Sequence, residues 1–161
     1  MFKFKILFYF SCCLTLGACE SPQIVKQEFD ISSLNTVEKR KLFLDSILHI
    51  DQKVRTDAMN AQETYGYNSK EYIDINDSVL QVDLSNLKVI HDYLKSYDYP
   101  TEEEYGYEAY TAPWMVIHHA PEGYGIDYRD LNMQFLLKAW EQGKLKDKAF
   151  SFFLNRMYNK R

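Results

Sequence analysis

The chain has 161 residues, 46% of them apolar and 26% charged, with a formal net charge of −4. That length fits one ordinary domain with enough interior to fold alone. The acidic balance excludes general nucleic-acid binding, which draws on dense positive surface.

The first residues read MFKFKILFYFSCCLTLGACESPQ. Lys3 and Lys5 form a short positive start, Ile6 to Leu16 is almost wholly apolar, and Gly17 and Ala18 precede Cys19. This is the layout of a secretory signal, and its apolar core is too short for a permanent transmembrane helix. The quartet Leu16-Gly17-Ala18-Cys19 resembles the lipobox of bacterial lipoproteins. That resemblance implies removal of residues 1–18, lipidation of Cys19 and a membrane anchor without a spanning segment. The alternative is an ordinary secreted protein cut near Ala18, with Cys19 left as a free thiol. Glu20 stands where an inner-membrane retention signal commonly has Asp, so outer-membrane sorting is expected.

Cleavage would leave 143 of the 161 residues and, with Lys3 and Lys5 gone, a charge of −6. Cys12 and Cys13 leave with the signal and Cys19 carries lipid, so neither a disulfide nor a cysteine-ligated metal is expected. The domain must then be held by its core. No cofactor is implied, and the expected partners are the membrane, through the anchor, and an envelope ligand or protein.

Residues 19–33 (CESPQIVKQEFDISS) are polar and contain Pro22, the composition of a tether, so the helical domain is expected over 34–161. Asn35 begins an N-cap pattern with Glu38 three positions on. From there Val37, Leu44, Ile47, Leu48 and Val54 recur at helical spacing until ETYGYNSK interrupts. A second helix is predicted from about Glu71 to Tyr97, with Val79, Leu87, Ile90 and Leu94 on one side. Tyr99-Pro100 ends it and Thr101-Glu102-Glu103-Glu104 has the form of a capping box.

A third helix, about Tyr107 to Ala120, should bend or restart at Pro113, which has no amide to donate. Its Ala-Pro-Trp-Met-Val-Ile stretch is apolar all round and belongs at the centre. After the loop PEGYG, a fourth helix should run from Asp127 to Gln142, with Leu131, Phe135 and Leu137 inward and Gly143 as its stop. The fifth, Lys146 to about Asn159, carries Phe150, Phe153, Leu154 and Met157. No segment alternates at period two, so the expected fold is all-α, a compact bundle of about five helices. The two Tyr-Gly-Tyr triplets, at Tyr65 and Tyr105, lack common flanks and make no repeat. The thirteen tyrosines suit helix interfaces, or recognition of a sugar or peptide by flat faces with polar tips.

Polar residues on apolar stripes carry the functional signal. Asp51 follows Ile47 by four and Arg55 follows Asp51 by four, with Gln52 at the border. Asp83 follows Val79 by four and Asn86 stands three beyond. His118 lies one turn after Trp114, His119 one turn after Met115, and Arg156 close to Phe152 and Phe153. Isolated buried charges are costly, so these groups should meet: Asp51 with Arg55, Asp83 with Arg156 or a histidine, Asn86 as a neutral linker. Two readings follow, a buried network that fixes helix register or a pocket into which the groups point. In either, His119 should point inward and His118 should lie at the rim.

The ordered set Asp51-Gln52 with Arg55, Asp83 with Asn86, Tyr99-Pro100-Thr101, Gly106, Trp114, His118-His119 and Asn155-Arg156 resembles a family of small bacterial helical domains of unknown function. The resemblance spans nearly the whole domain and groups Asp51, Gln52, Arg55, Asp83, Asn86, His119 and Arg156 as one constellation. It implies no activity. Members usually have Gln where this chain has His118 and Asp where it has Asn155. Many continue into a Gly-, Gln- and Tyr-containing tail; if that tail completes a site, this chain, which stops at Arg161, is a reduced version.

Adjacent histidines on a helix diverge by about 100°, so His118 and His119 do not share an ion readily, and no metal site is assigned. No G-x-S-x-G elbow and no phosphate-cradling glycine loop occur. His119 with Asp51 or Asp83 could activate water as a general base, which is the hydrolase alternative. The main expectation is an envelope binding module.

Overall fold

Three helices begin where a hydroxyl side chain takes up an amide that the first helical turn leaves without a partner. Thr36 accepts from the Lys39 amide at 3.2 Å, Ser69 from Tyr72 at 3.1 Å and Thr101 from Glu104 at 3.4 Å. These caps open α1 (Val37–Tyr65), α2 (Lys70–Ser96) and α3 (Glu102–His119). In α1 the cap is Thr36 rather than Asn35, whose side-chain oxygen instead accepts from the Lys39 ammonium at 3.1 Å.

The protein is described from a computed structural model over residues 30–123 and 126–158. The expected signal, Cys19 and the tether up to residue 29 lie outside the described residues. Two helices follow α3: α4 (Tyr128–Glu141) and α5 (Asp147–Tyr158). The fold is therefore all-α, a bundle of five helices. The segment expected as a plain loop carries a two-residue antiparallel ladder, β1 (Glu122–Gly123) with β2 (Ile126–Asp127).

The last residues of the expected tether are folded onto the bundle. Ile31–Ser33 form a 3₁₀ turn capped by Asp30, and the Tyr97 hydroxyl donates to the Ile31 carbonyl at 3.2 Å. Leu34 is buried, and Arg40 donates to its carbonyl at 3.2 Å. Residues 30–34 thus pack with the helices.

Helix α3 touches all four other helices, as its all-round apolar stretch requires. Leu44, Ile90, Tyr93, Ile117, Leu136 and Phe153 form the enclosed core between them. The break in α3 falls at Gly106, with φ 78° and ψ 167°, and not at Pro113, which sits buried within the helix. A proline can be absorbed by gentle bending, whereas that φ/ψ pair is essentially reserved for glycine. Gly66 at the end of α1 adopts nearly the same conformation, φ 85° and ψ 162°. The glycines of the two Tyr-Gly-Tyr triplets therefore share a backbone conformation, although one ends a helix and the other kinks one.

The phase expected for α4 needs correction. Leu131 is 56% exposed, Phe135 and Leu137 are half-buried, and Leu136 is enclosed. The inward line is Arg129, Asn132, Leu136 and Ala139, spaced three, four and three. Half of that line is polar, which is why apolar spacing alone misses it, although Phe135 and Leu137 do pack against the core and only Leu131 faces out. Gly143, at φ 70°, ends the helix as expected, with the Lys144 amide bonded back to the Ala139 carbonyl at 2.8 Å.

Candidate functional site

On α1 the apolar line Phe43–Ile47 continues through Asp51 and Arg55, so a carboxylate and a guanidinium are carried into the seam with α2 and α3. Asp51 is fully buried. Its carboxylate lies 3.0 and 3.2 Å from Nδ1 of His119 and accepts from the Gln52 amide at 2.7 Å. Arg55 donates through Nη2 to Oδ1 of Asp83 at 2.7 Å, and the same nitrogen stands 3.5 Å from Oδ1 of Asp51. Its Nε lies 3.0 Å from Nδ1 of His119. Asp51, Gln52, Arg55, Asp83 and His119, from three helices, thus form one hydrogen-bonded unit.

Nδ1 of His119 faces both a donor and an acceptor and can serve only one. A proton on Nδ1 donates to the ionised Asp51, a charge-assisted bond, while Arg55 keeps its hold on Asp83. This leaves Nε2 of His119 as the basic nitrogen, and it has no hydrogen-bond partner among the described residues. The His119 side chain is 17% exposed, against 1% for Asp51.

The two carboxylates shift in opposite directions. Burial pushes both upward. At Asp51 the His119 hydrogen bond, the charges of His119 and Arg55 and the Gln52 amide outweigh burial, and the carboxyl is held below its ordinary value. At Asp83 the Arg55 hydrogen bond and charge do not overcome burial, to which the negative charge of Asp51 adds, and the carboxyl is raised.

Three expected placements are corrected. Asp83 pairs with Arg55 and not with Arg156 or a histidine. Asn86 is buried beside Asp83 on α2, but its amide nitrogen has no hydrogen-bond partner, so it does not link the network. His118 does not rim the cluster; it is buried, its ring packed against both Trp114 (centroids 5.2 Å apart) and Phe152 (5.0 Å). The roughly 100° between successive residues turns His119 toward α1 and His118 toward α5.

Nε2 of His118 lies 3.2 Å from Nη1 of Arg156, which is where Arg156 enters the site. Burial, then the positive charges of Arg156, His119, Arg129 and Arg55, bring the His118 imidazole down to about 4. It is therefore neutral at ordinary pH and accepts from Arg156, which places its proton on Nδ1, an enclosed atom without a partner. The proposed single constellation is in fact two joined units, with the His118 and His119 rings 5.5 Å apart.

Sequence reasoning missed Arg129 and Asn132, both buried on α4. Asn132 bonds His91 Nδ1 at 2.8 Å and donates to the Tyr128 carbonyl at 2.8 Å. Burial and the charge of Arg156 lower the Arg129 guanidinium. The available signal was the three-four-three spacing of Arg129, Asn132, Leu136 and Ala139.

Beside the His118 stack lies a groove of about 850 Å³ between α3 and α5. Tyr107, Tyr110, Trp114 and Phe152 line it, with Thr111 and Lys148. Trp114 is fixed by its indole nitrogen, which donates to the Ala149 carbonyl at 2.8 Å. Tyr99 meets Tyr110 edge-on and donates to its carbonyl at 3.1 Å, which stiffens the wall. Tyr107 and Phe152 are 66% and 56% exposed and present ring surface to an incoming molecule.

Among the described residues no three His, Cys, Asp or Glu side chains are arranged to hold a metal ion, and no helix is long and apolar enough to cross a membrane. No family model, no curated protein and no solved structure matches this chain.

Proposed function

We propose that this protein is a lipid-anchored binding module of the bacterial cell envelope, held at the membrane through Cys19 and presenting the α3–α5 groove to a ligand. The observation that carries the binding reading is the groove itself. Its volume of about 850 Å³ and its lining of aromatic rings with a few polar groups suit a small ligand. The anchor rests on the order Lys3, Lys5, apolar core, Gly17-Ala18-Cys19. The resemblance to small helical domains rests on the Asp51-Gln52, Arg55, Asp83, Asn86, His119 and Arg156 set and adds no activity.

Two measurements test it. Cells fed labelled palmitate should incorporate it into the full chain and not into Cys19→Ala; equal labelling, or none, removes the anchor. In the ¹⁵N-labelled full chain, an aromatic amide such as indole-3-acetamide should shift the Trp114 indole N–H saturably. Trp140, the other tryptophan, stacks on Phe150, donates to Asp147 and does not line the groove, and serves as the control. A Trp114 signal that stays still up to millimolar amide overturns the groove reading.

A second reading is favoured by the Asp51–His119 contact, which orients an imidazole with a free Nε2. In that reading the protein is a hydrolase. Nε2 accepts a proton from water as the water oxygen bonds to the electrophilic atom, and the proton is then returned to the leaving group. Release of nitrophenol from nitrophenyl esters or phosphates by the full chain, abolished in His119→Gln, supports it. Equal rates for the two proteins eliminate it.

A further inference from the structure

We infer that the α3–α5 groove selects a small planar organic anion, whose ring body lies against Tyr107, Trp114 and Phe152 and whose charged group reaches Lys148. The inference rests on the groove being a binding site and adds the chemistry of its occupant.

The charge pattern is the starting point. The chain as a whole is acidic, with 23 Asp and Glu against 19 Lys and Arg. Yet the residues lining the groove include two lysines, Lys146 and Lys148, and no carboxylate. These two cations differ in availability. Lys146 is engaged by Glu102 and its ammonium sits 5.6 Å from the centroid of the Tyr110 ring. Lys148 is exposed and forms no ion pair among the described residues. An apolar groove on an acidic protein thus has one rim cation without a counter-charge.

The ring surfaces set the shape of the occupant. Trp114 and Phe152 lie 6.3 Å apart and tilted by 47°, and each also packs on the His118 ring, at 22° and 25°, so two held ring faces line the groove at an angle to each other. The Trp114 indole is tied to Ala149, which fixes its plane on α3 against α5. Flat π faces favour a ring-bearing body laid offset or edge-on, and the adjacent ammonium favours a negative group on that body. Steering by an exposed charge is modest and weakens with salt, so it biases the choice of ligand more than it sets the overall affinity.

The test compares two molecules that differ in one charge: indole-3-acetate and indole-3-acetamide. Each is titrated into the ¹⁵N-labelled full chain and read at the Trp114 indole N–H. The acetate should bind up to about fivefold more tightly at low salt, the upper range for an exposed ion pair. That advantage should vanish at high salt and in Lys148→Gln, a surface change that spares the core. Equal affinities for acetate and amide overturn the anion preference and leave the groove reading standing. An acetate advantage that survives Lys148→Gln overturns the assignment to Lys148. A Trp114 signal unmoved by either molecule overturns both the inference and the groove reading.

Discussion

Nδ1 of His119 on α3 lies 3.0 Å from Oδ2 of Asp51 on α1, and the carboxylate it meets is fully enclosed. This contact spans 68 positions of sequence and decides which imidazole nitrogen carries the proton. It also joins the helices on which the whole polar unit depends.

Breaking that contact leaves His119 and Arg55 beside an empty space. Removing one member of a buried charged pair typically costs about 3–5 kcal/mol, because the remaining charge stays desolvated. Asp51→Ala should therefore lower the unfolding free energy, read by urea denaturation, by an amount near that range. Asp51→Asn should cost less and move the His119 proton from Nδ1 to Nε2, visible in imidazole ¹⁵N shifts. Unfolding curves that superimpose on the parent would remove the network from any structural role.

His118 should make stability depend on mild acid. Its ordinary value is 6.5 and its folded value is brought down to about 4, so between the two the unfolded chain holds a proton that the native chain lacks. Stability is full above 6.5, falls as pH is lowered through this window and levels off below 4. The total loss is about 3 kcal/mol for a shift of this size. Asp51, held below its ordinary value, adds its own loss only at still lower pH. His118→Gln should flatten the 4–6.5 portion. An unchanged slope would show that His118 takes up its proton as readily in the native state as in the unfolded chain.

Gly106 should resist substitution for a backbone reason. A Cβ there would meet nothing closer than Lys41 Cε at 3.8 Å, an ordinary contact. The φ of 78° and ψ of 167° nevertheless lie in a region that costs a side-chain-bearing residue about 1–3 kcal/mol. Gly106→Ala should lose that much by thermal or chemical melting. A neutral result would mean that the kink relaxes.

The corrected phase of α4 gives a paired comparison. Leu136 is enclosed and Leu131 is 56% exposed. Leu136→Ala should cost about 2–5 kcal/mol, the range for a core leucine. Leu131→Ala should stay within about 0.5 kcal/mol, as surface changes do. The reverse order would restore the phase that apolar spacing suggests.

Local chemistry is written in the order of residues, and that much was legible. Thr101 with its following glutamates, Pro100 and Gly143 mark helix ends because caps and stops act within a few positions. The four-residue steps from Ile47 to Asp51 to Arg55 place both charges on a buried face, since helical period alone determines that. Asp51, Arg55, Asp83 and His119 were therefore identifiable as inward groups. Their partners were not. Which carboxylate meets Arg55 depends on how far α1 and α2 slide past each other, and no local pattern encodes that offset. His118 and His119 differ by one position, yet one enters the polar unit and the other an aromatic stack, because α1 and α5 approach α3 from different sides. The groove, too, exists only once α5 is laid against α3, for its rings come from residues some forty positions apart. The sequence alone determined the helices and the inward turn of Asp51, Arg55, Asp83 and His119; only the packing of one helix on another decided whom those side chains meet and which face of α4 is buried.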